Sequence, residues 1–319
     1  MSDNETTKPD GMKITGSRRR VDLFLVLTWL ASAVAVLSLL WILESIVTPA
    51  WPAIQKTGLG FFTSTIWDVN RDRYGAMPFV IGTAVSSLIA LIIALPLGIF
   101  IALFLSENFL PLAIRQVIRF VVELLAAIPS VVYGLWGIAV VIPIVQQFGG
   151  YLSEYLGFIP LFSGPATGNS MLTASLVLAL MVLPTITAIS RTALVVVPHT
   201  LREGSYAIGA TRWETIFRVL LPTAAPGIVA ATILAFGRAM GETMAVAMLI
   251  GNSSRLSWSL LSPAGTLAGL LANQFGEAQG LQISALMYAA LALVLLTLFV
   301  NMTGEAVLRR AEKATAGIR

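Results

Sequence analysis

No cysteine occurs among the 319 residues. That excludes disulfides, thiol nucleophiles and thiolate metal ligands, while leaving the compartment open. Histidine occurs once, as His199 beside Pro198, with nothing nearby to complete a metal site. None of the lysines follows a glycine in the Walker A order, so the chain has no P-loop with which to hydrolyse ATP. Neither a Gly-x-Ser-x-Gly elbow nor a His-Glu-x-x-His pair is present. Charge is scarce as well, at 11% of residues against about 25% in ordinary soluble domains. Most catalytic classes are thereby removed, and conduction or transport is the better starting class.

Apolar residues fill the space that charge vacates, at 57% of the chain. About 20 of them in a row cross the hydrocarbon of a bilayer. Six stretches qualify, at roughly 22–47, 78–105, 118–147, 171–197, 223–251 and 281–307. The expected fold is an all-α integral membrane protein with six transmembrane helices. An even number of spans puts both ends on one side. Lys and Arg choose that side: Lys8, Lys13, Arg18–Arg20, Arg115, Arg119, Arg191, Arg202, Arg212, Arg218, Arg309, Arg310, Lys313 and Arg319 fall together, against Lys56, Arg71, Arg73 and Arg255 opposite. The asymmetry makes both termini cytoplasmic. The net charge of +4 therefore reflects topology and contact with anionic lipid headgroups, and gives no reason to expect nucleic acid.

The chain divides into a polar, disordered cytoplasmic tail at 1–20, a first transmembrane helix with an outer loop at 21–77, a main transmembrane region at 78–308 and a second cytoplasmic tail at 309–319. The uncharged run 23–43 is too long for the core of a signal peptide and reads as a retained anchor. Trp51, Phe61, Phe62, Trp67 and Tyr74 in the outer loop suit an interfacial aromatic belt, or else a docking surface for an external partner. Pro96, Pro129, Pro143 and Pro184 fall inside spans, where prolines kink helices and neighbours satisfy the freed carbonyls. Glu123 follows Arg119 closely and suits the cytoplasmic membrane surface.

Between two apolar runs, Pro198 to Pro222 is polar and carries Arg. Thr200-Leu201-Arg202-Glu203 and Thr211-Arg212-Trp213-Glu214 each fit a capping box. Gly209 sits between them, where a left-handed helix stop would fall. Trp213, Ile216, Phe217 and Leu220 recur at helical spacing and give one apolar face, and Pro222 ends the turn. A capped helix–turn–helix kept outside the bilayer offers a surface to another protein.

Within the fifth span, Arg238 and Glu242 stand at i and i+4, which puts guanidinium and carboxylate on one helix face. Two readings stand: a self-neutralising structural pair, or part of a substrate path. Gly237 and Gly241 flank the Arg with spacing that lets a second helix approach. The guanidinium fork matches tetrahedral oxyanions such as phosphate, and an arriving anion could displace Glu242 from Arg238.

Glu203-Gly204-Ser205, with Gly209, Val219, Leu221 and Pro222, resembles the EAA loop of permease subunits from bacterial ATP-binding-cassette (ABC) importers, differing at Gly204, Ser205 and Val219. Trp51 to Lys56, Trp67-Asp68, Tyr74-Gly75-Ala76, Glu123 to Gly134 and Gly237 to Val246 are similar to PstC-type phosphate permease subunits, across nearly the whole chain after residue 20. The resemblance implies a type I (MetI-like) importer fold in the bacterial inner membrane. It also implies a PstA-like permease partner, two PstB-like ATPase subunits that carry ATP and Mg, and a PstS-like external phosphate-binding protein. This chain would itself hold no cofactor and catalyse nothing. Glu203, Gly209, Trp213 and Phe217 would couple to the ATPase, and Arg238 and Glu242 would line the phosphate passage. Two other functions compete: an ion-coupled anion carrier with Glu242 as coupling group, and a membrane sensor of an external phosphate-binding protein. A carrier commonly shows internal repeats; none is convincing here, and a carrier leaves the capped loop unexplained.

Overall fold

The structure is a computed structural model that describes residues 18–316 apart from Asn108. Most of the tail expected at 1–20 lies outside the described residues, and the chain is already helical at Arg18. It divides at Thr48 into two units.

In the first unit the described residues belong to α1, Arg18–Thr57. Apolar side chains from Leu23 to Leu43 are exposed on every face. The hydroxyls of Thr28, Ser32, Ser38 and Ser45 all return to carbonyls of the preceding turn. A helix that satisfies its own polar groups and is apolar all round suits hydrocarbon.

The second unit holds α2 (Met77–Ser106), α3 (Leu112–Ala127), α4 (Ser130–Leu156), α5 (Met171–Val195), α6 (His199–Ala207), α7 (Arg212–Gly241), α8 (Met244–Leu249), α9 (Leu267–Gln274) and α10 (Leu281–Ala316). A two-stranded antiparallel hairpin pairs β1 (Trp67–Asp68) with β2 (Arg73–Tyr74) before α2. Among the described residues six helices are long and apolar enough to cross a membrane: α1, α2, α4, α5, α7 and α10. The expected number therefore holds, and two registers do not: the fifth span runs Arg212–Gly241 rather than 223–251, and the third is displaced as well. The third span runs Ser130–Leu156 rather than 118–147. Pro129 forces Ile128 into an extended conformation (φ −69°, ψ 127°), as a residue before proline is pushed to be. The helix breaks there instead of kinking, and the amphipathic α3 precedes it as a separate element with an Arg119–Glu123 ion pair at 2.7 Å on its exposed face.

Small residues allow the central helices to meet. In α2, Gly82, Ser86, Ala90, Ala94, Gly98 and Ala102 recur every fourth position, and all are buried. A methyl group at Gly98 would come within 2.6 Å of Ile186 in α5. The pairing of α2 with α5 is the most extensive between helices in the molecule, and α7 joins α5 to α10. With the hydrophobic term absent between helices in lipid, such close approach is what holds them.

Beyond the outer helix ends the first loop builds a core of its own. Phe61 is fully buried and stacks on Tyr288 of α10 at 4.2 Å. Tyr288 donates to the Gly58 carbonyl at 3.1 Å. The Trp67 indole donates to Gln274 at 2.9 Å, and Trp67 meets the buried Tyr74 edge-on. The loop aromatics other than Trp51 thus pack against protein, where an interfacial belt was expected; two of them have polar groups that find protein partners. At the other end α10 continues through residue 316, so the segment expected as a tail from 309 is helical for most of its length.

Candidate functional site

The helical face expected to carry Arg238 with Glu242 is interrupted between them. Helix α7 ends at Gly241, Glu242 is extended (φ −68°, ψ 125°), and α8 starts at Met244. Two glycines in the last turn weaken the helix, and the Thr243 hydroxyl takes the Gly241 carbonyl at 3.1 Å. The Glu242 carboxylate turns towards the start of α8, accepting weakly from the Ala245 amide at 3.5 Å. Arg238 and Glu242 form no ion pair among the described residues; the Arg238 guanidinium is exposed and donates to the Thr185 hydroxyl of α5 at 3.2 Å. Of the two flanking glycines, Gly237 faces Asn301 of α10 at contact distance, while open space surrounds Gly241.

The second broken segment lies against the first. Gly134, in the first turns of α4, is so close to Ala245 and Met248 of α8 that a side chain there would collide with Met248. Pro129 has no N–H to give to the Leu125 carbonyl, and the Tyr133 hydroxyl supplies that bond at 2.8 Å. Tyr133 also lies within electrostatic reach of Arg238. Interrupted helices that bring a cation, hydroxyls and free backbone ends together inside a membrane are a recurring way to build a polar passage.

On the cytoplasmic side, α6 and the start of α7 form the expected helix–turn–helix. Gly209 has φ +87°, the left-handed conformation that lets the chain reverse. Thr211 and Glu214 make a complete capping box. Hydrogen bonds from the Thr211 amide, then from its hydroxyl, hold the Glu214 carboxyl below its ordinary range. The other expected box is not made, because Pro198 (φ −56°, ψ 137°) is the N-cap, so α6 starts two residues earlier and Thr200 falls inside the first turn. Nor does Pro222 end the helix: one π-turn, Ile216–Leu220, shifts the register and delivers Pro222 to the first turn of the following α-segment, where proline is tolerated.

That π-turn divides the expected apolar face. Ile216 and Leu220 are buried with Ala102, Leu103 and Leu194. Trp213 and Phe217 stay half-exposed and stack on each other, with Phe109 also stacked on Trp213 at 5.4 Å and Arg212 over the Phe109 ring. Glu203 is exposed on α6, near exposed Leu201, Tyr206 and Ile208. A cavity of about 300 Å³ opens beside Glu203, lined also by His199, Arg202 and Glu107. Sequence reasoning gave Arg202 no role beyond its charge. In the structure it turns inward, pairs with Glu107 at 3.1 Å and donates to the Leu194 and Val197 carbonyls. Its partner is 95 positions away, so only the potential capping of the α5 carboxyl end by a nearby Arg was visible locally.

Residues 94–315 match the family model described as "Binding-protein-dependent transport system inner membrane component". The chain is 39% identical over 314 residues to the phosphate transport system permease protein PstC of Xylella fastidiosa strain Temecula1, covering 97% of this chain and 96% of that protein. It is 40% identical over 277 residues to the PstC of Pasteurella multocida (85% and 86%), and 36% identical over 307 residues to a probable PstC of Methanocaldococcus jannaschii (94% and 97%). Among solved structures, a bacterial alginate ABC transporter in complex with an alginate-bound periplasmic protein aligns with a TM-score of 0.60 at 16% identity (91% and 98%). The inward-facing MetNI methionine ABC transporter aligns at 0.53 and 22% identity (74% and 94%).

Proposed function

From the premise that this chain belongs to the PstC phosphate permeases, within the binding-protein-dependent inner membrane transport components, we propose that phosphate passes the break between α7 and α8, met there by Arg238. The chain is the non-catalytic, multi-pass permease of a phosphate-importing ABC transporter; ATP is bound on a separate ATPase, and an external binding protein supplies the substrate. The ion-coupled carrier reading gives way to that membership. Our finer reading of the assembly is a PstA-like permease beside this chain, two PstB-like ATPase subunits beneath it and a PstS-like protein outside. Glu203, Gly209, Trp213 and Phe217 would form the surface of this chain that receives the ATPase.

One observation carries the role of Arg238: its guanidinium is exposed inside a mostly apolar helix and has a hydroxyl, not a carboxylate, as its hydrogen-bond partner among the described residues. A cation held by a neutral partner keeps its attraction for an anion. Thr185 takes one N–H, which orients the fork and leaves other donors for phosphate oxygens. Glu242, drawn towards the first amides of α8, completes the break without cancelling that charge, so no displacement of one by the other is required for entry.

The test is radiolabelled phosphate uptake into vesicles holding the full assembly. Arg238→Lys keeps the charge and loses the planar fork. We expect ATP-dependent uptake to fall by roughly tenfold or more, a loss of about 1.4 kcal/mol per decade of transition-state binding, while the ATPase stays associated. Uptake by Arg238→Lys at the wild-type rate would remove Arg238 from the path.

A further inference from the structure

Arg202 and Glu203 are adjacent on α6, yet differ in burial. Glu203 is exposed, whereas the Arg202 and Glu107 side chains are each only 12% exposed. Among the described residues this is the sole ion pair between distant parts of the chain; the other three join residues three or four apart. Nε and Nη2 of Arg202 both donate to Glu107 Oε1, at 3.3 and 3.1 Å. Nη1 donates to the Val197 carbonyl at 2.7 Å, and Nη2 also to that of Leu194 at 3.0 Å. Glu107 follows the last residue of α2, and its own amide closes that helix by bonding to Leu103. Leu194 and Val197 lie at and just past the end of α5. One guanidinium therefore gathers the carboxyl ends of two membrane helices and fixes them to α6, where a cation also opposes the negative end of each helix dipole.

What lies behind those ends is closely packed. Helices α2 and α5 are in closest approach along the small-residue row, with Gly98 against Ile186. A second tie, a buried hydroxyl pair between Ser205 of α6 and Thr215 of α7 at 2.9 Å, connects the same short helix to the adjoining one.

We infer that the Arg202–Glu107 pair is a positioning strut: it converts displacement of α6 by the ATPase into movement of α2 and α5. The inference rests on the reading of α6 as part of the ATPase-receiving surface. Arg202 and Glu107 touch neither nucleotide nor phosphate in it; they determine how much of each hydrolysis event becomes transport.

The experiment uses the complete transporter in proteoliposomes, with phosphate uptake and ATP hydrolysis recorded on the same sample for wild type, Glu107→Ala, Glu107→Asp and Glu107→Gln. Glu107→Ala should co-purify with the ATPase and hydrolyse ATP, while phosphate moved per ATP drops at least about fivefold, the low end of ordinary coupling effects. Glu107→Asp, which can re-form the pair, should recover at least about half of the ratio. A general loss of stability would lower both activities together and leave the ratio unchanged, which overturns the strut. Should Glu107→Ala fail to assemble, Glu107→Gln carries the test, because it preserves an acceptor while removing the charge: a reduced ratio supports the strut and a wild-type ratio overturns it. Wild-type vesicles without ATP-dependent uptake would refute the coupling reading itself, a result separate from any effect of the variants.

Discussion

Pro129 removes the amide that would have bonded to Leu125, and Tyr133, one turn into α4, restores the bond with its hydroxyl. Tyr133→Phe keeps the ring and orphans the carbonyl, so the purified assembly should lose about 1–3 kcal/mol of stability, read as a lower melting temperature in detergent. An unchanged melting temperature would mean that the carbonyl has another partner. The residues that the sequence made legible are those whose partners are near in the chain. Gly209 with φ +87° and the Thr211–Glu214 box are of this kind. Arg238 and Glu242 were legible as unusual charges, but their pairing presumed an unbroken helix. The stretch Met244 to Leu249 is as apolar as what precedes it, and Gly237 and Gly241, which weaken the helix there, read equally well as a site of close helix approach. Arg202 and Glu107 escaped notice because a contact across 95 positions leaves no local pattern.

Elements were legible where length and apolarity alone decide them. Helices α2, α5 and α10 begin within one residue of the expected span starts. Where a proline had to be interpreted, the outcome turned on geometry: Pro129 breaks, Pro222 is carried through by a π-turn, and Pro184 is accommodated within α5. The row of small residues in α2 is legible as an i+4 pattern only when one asks what it would face. Gly98→Val tests it directly. The added branches must displace Ile186, and overpacking of this kind costs about 1–3 kcal/mol; we expect a reduced yield of folded assembly by size-exclusion chromatography, with Gly241→Val, which meets open space, as the milder control.

At the scale of the molecule, the orientation in the membrane follows from charge placement, and the absence of cysteine makes it easy to check. A single cysteine introduced as Ser17→Cys should react with an impermeant maleimide only after the membrane is opened, since Lys8, Lys13 and Arg18–Arg20 hold that end in the cytoplasm. Labelling of intact cells would reverse the topology. The spans also differ in what surrounds them. None of the apolar window of α1 is buried, against 67% of that of α5, and α5 carries buried Thr173, Ser175, Thr187 and Ser190 with Arg191. We expect these differences to bear on the order of events during synthesis. Helix α1 suits lipid as soon as it leaves the ribosome and can anchor the growing chain on its own. Helix α5 buries those hydroxyl-bearing residues only within the second unit, where α2 is its most extensive partner, so we expect the insertion machinery to release it where α2 can pack against it.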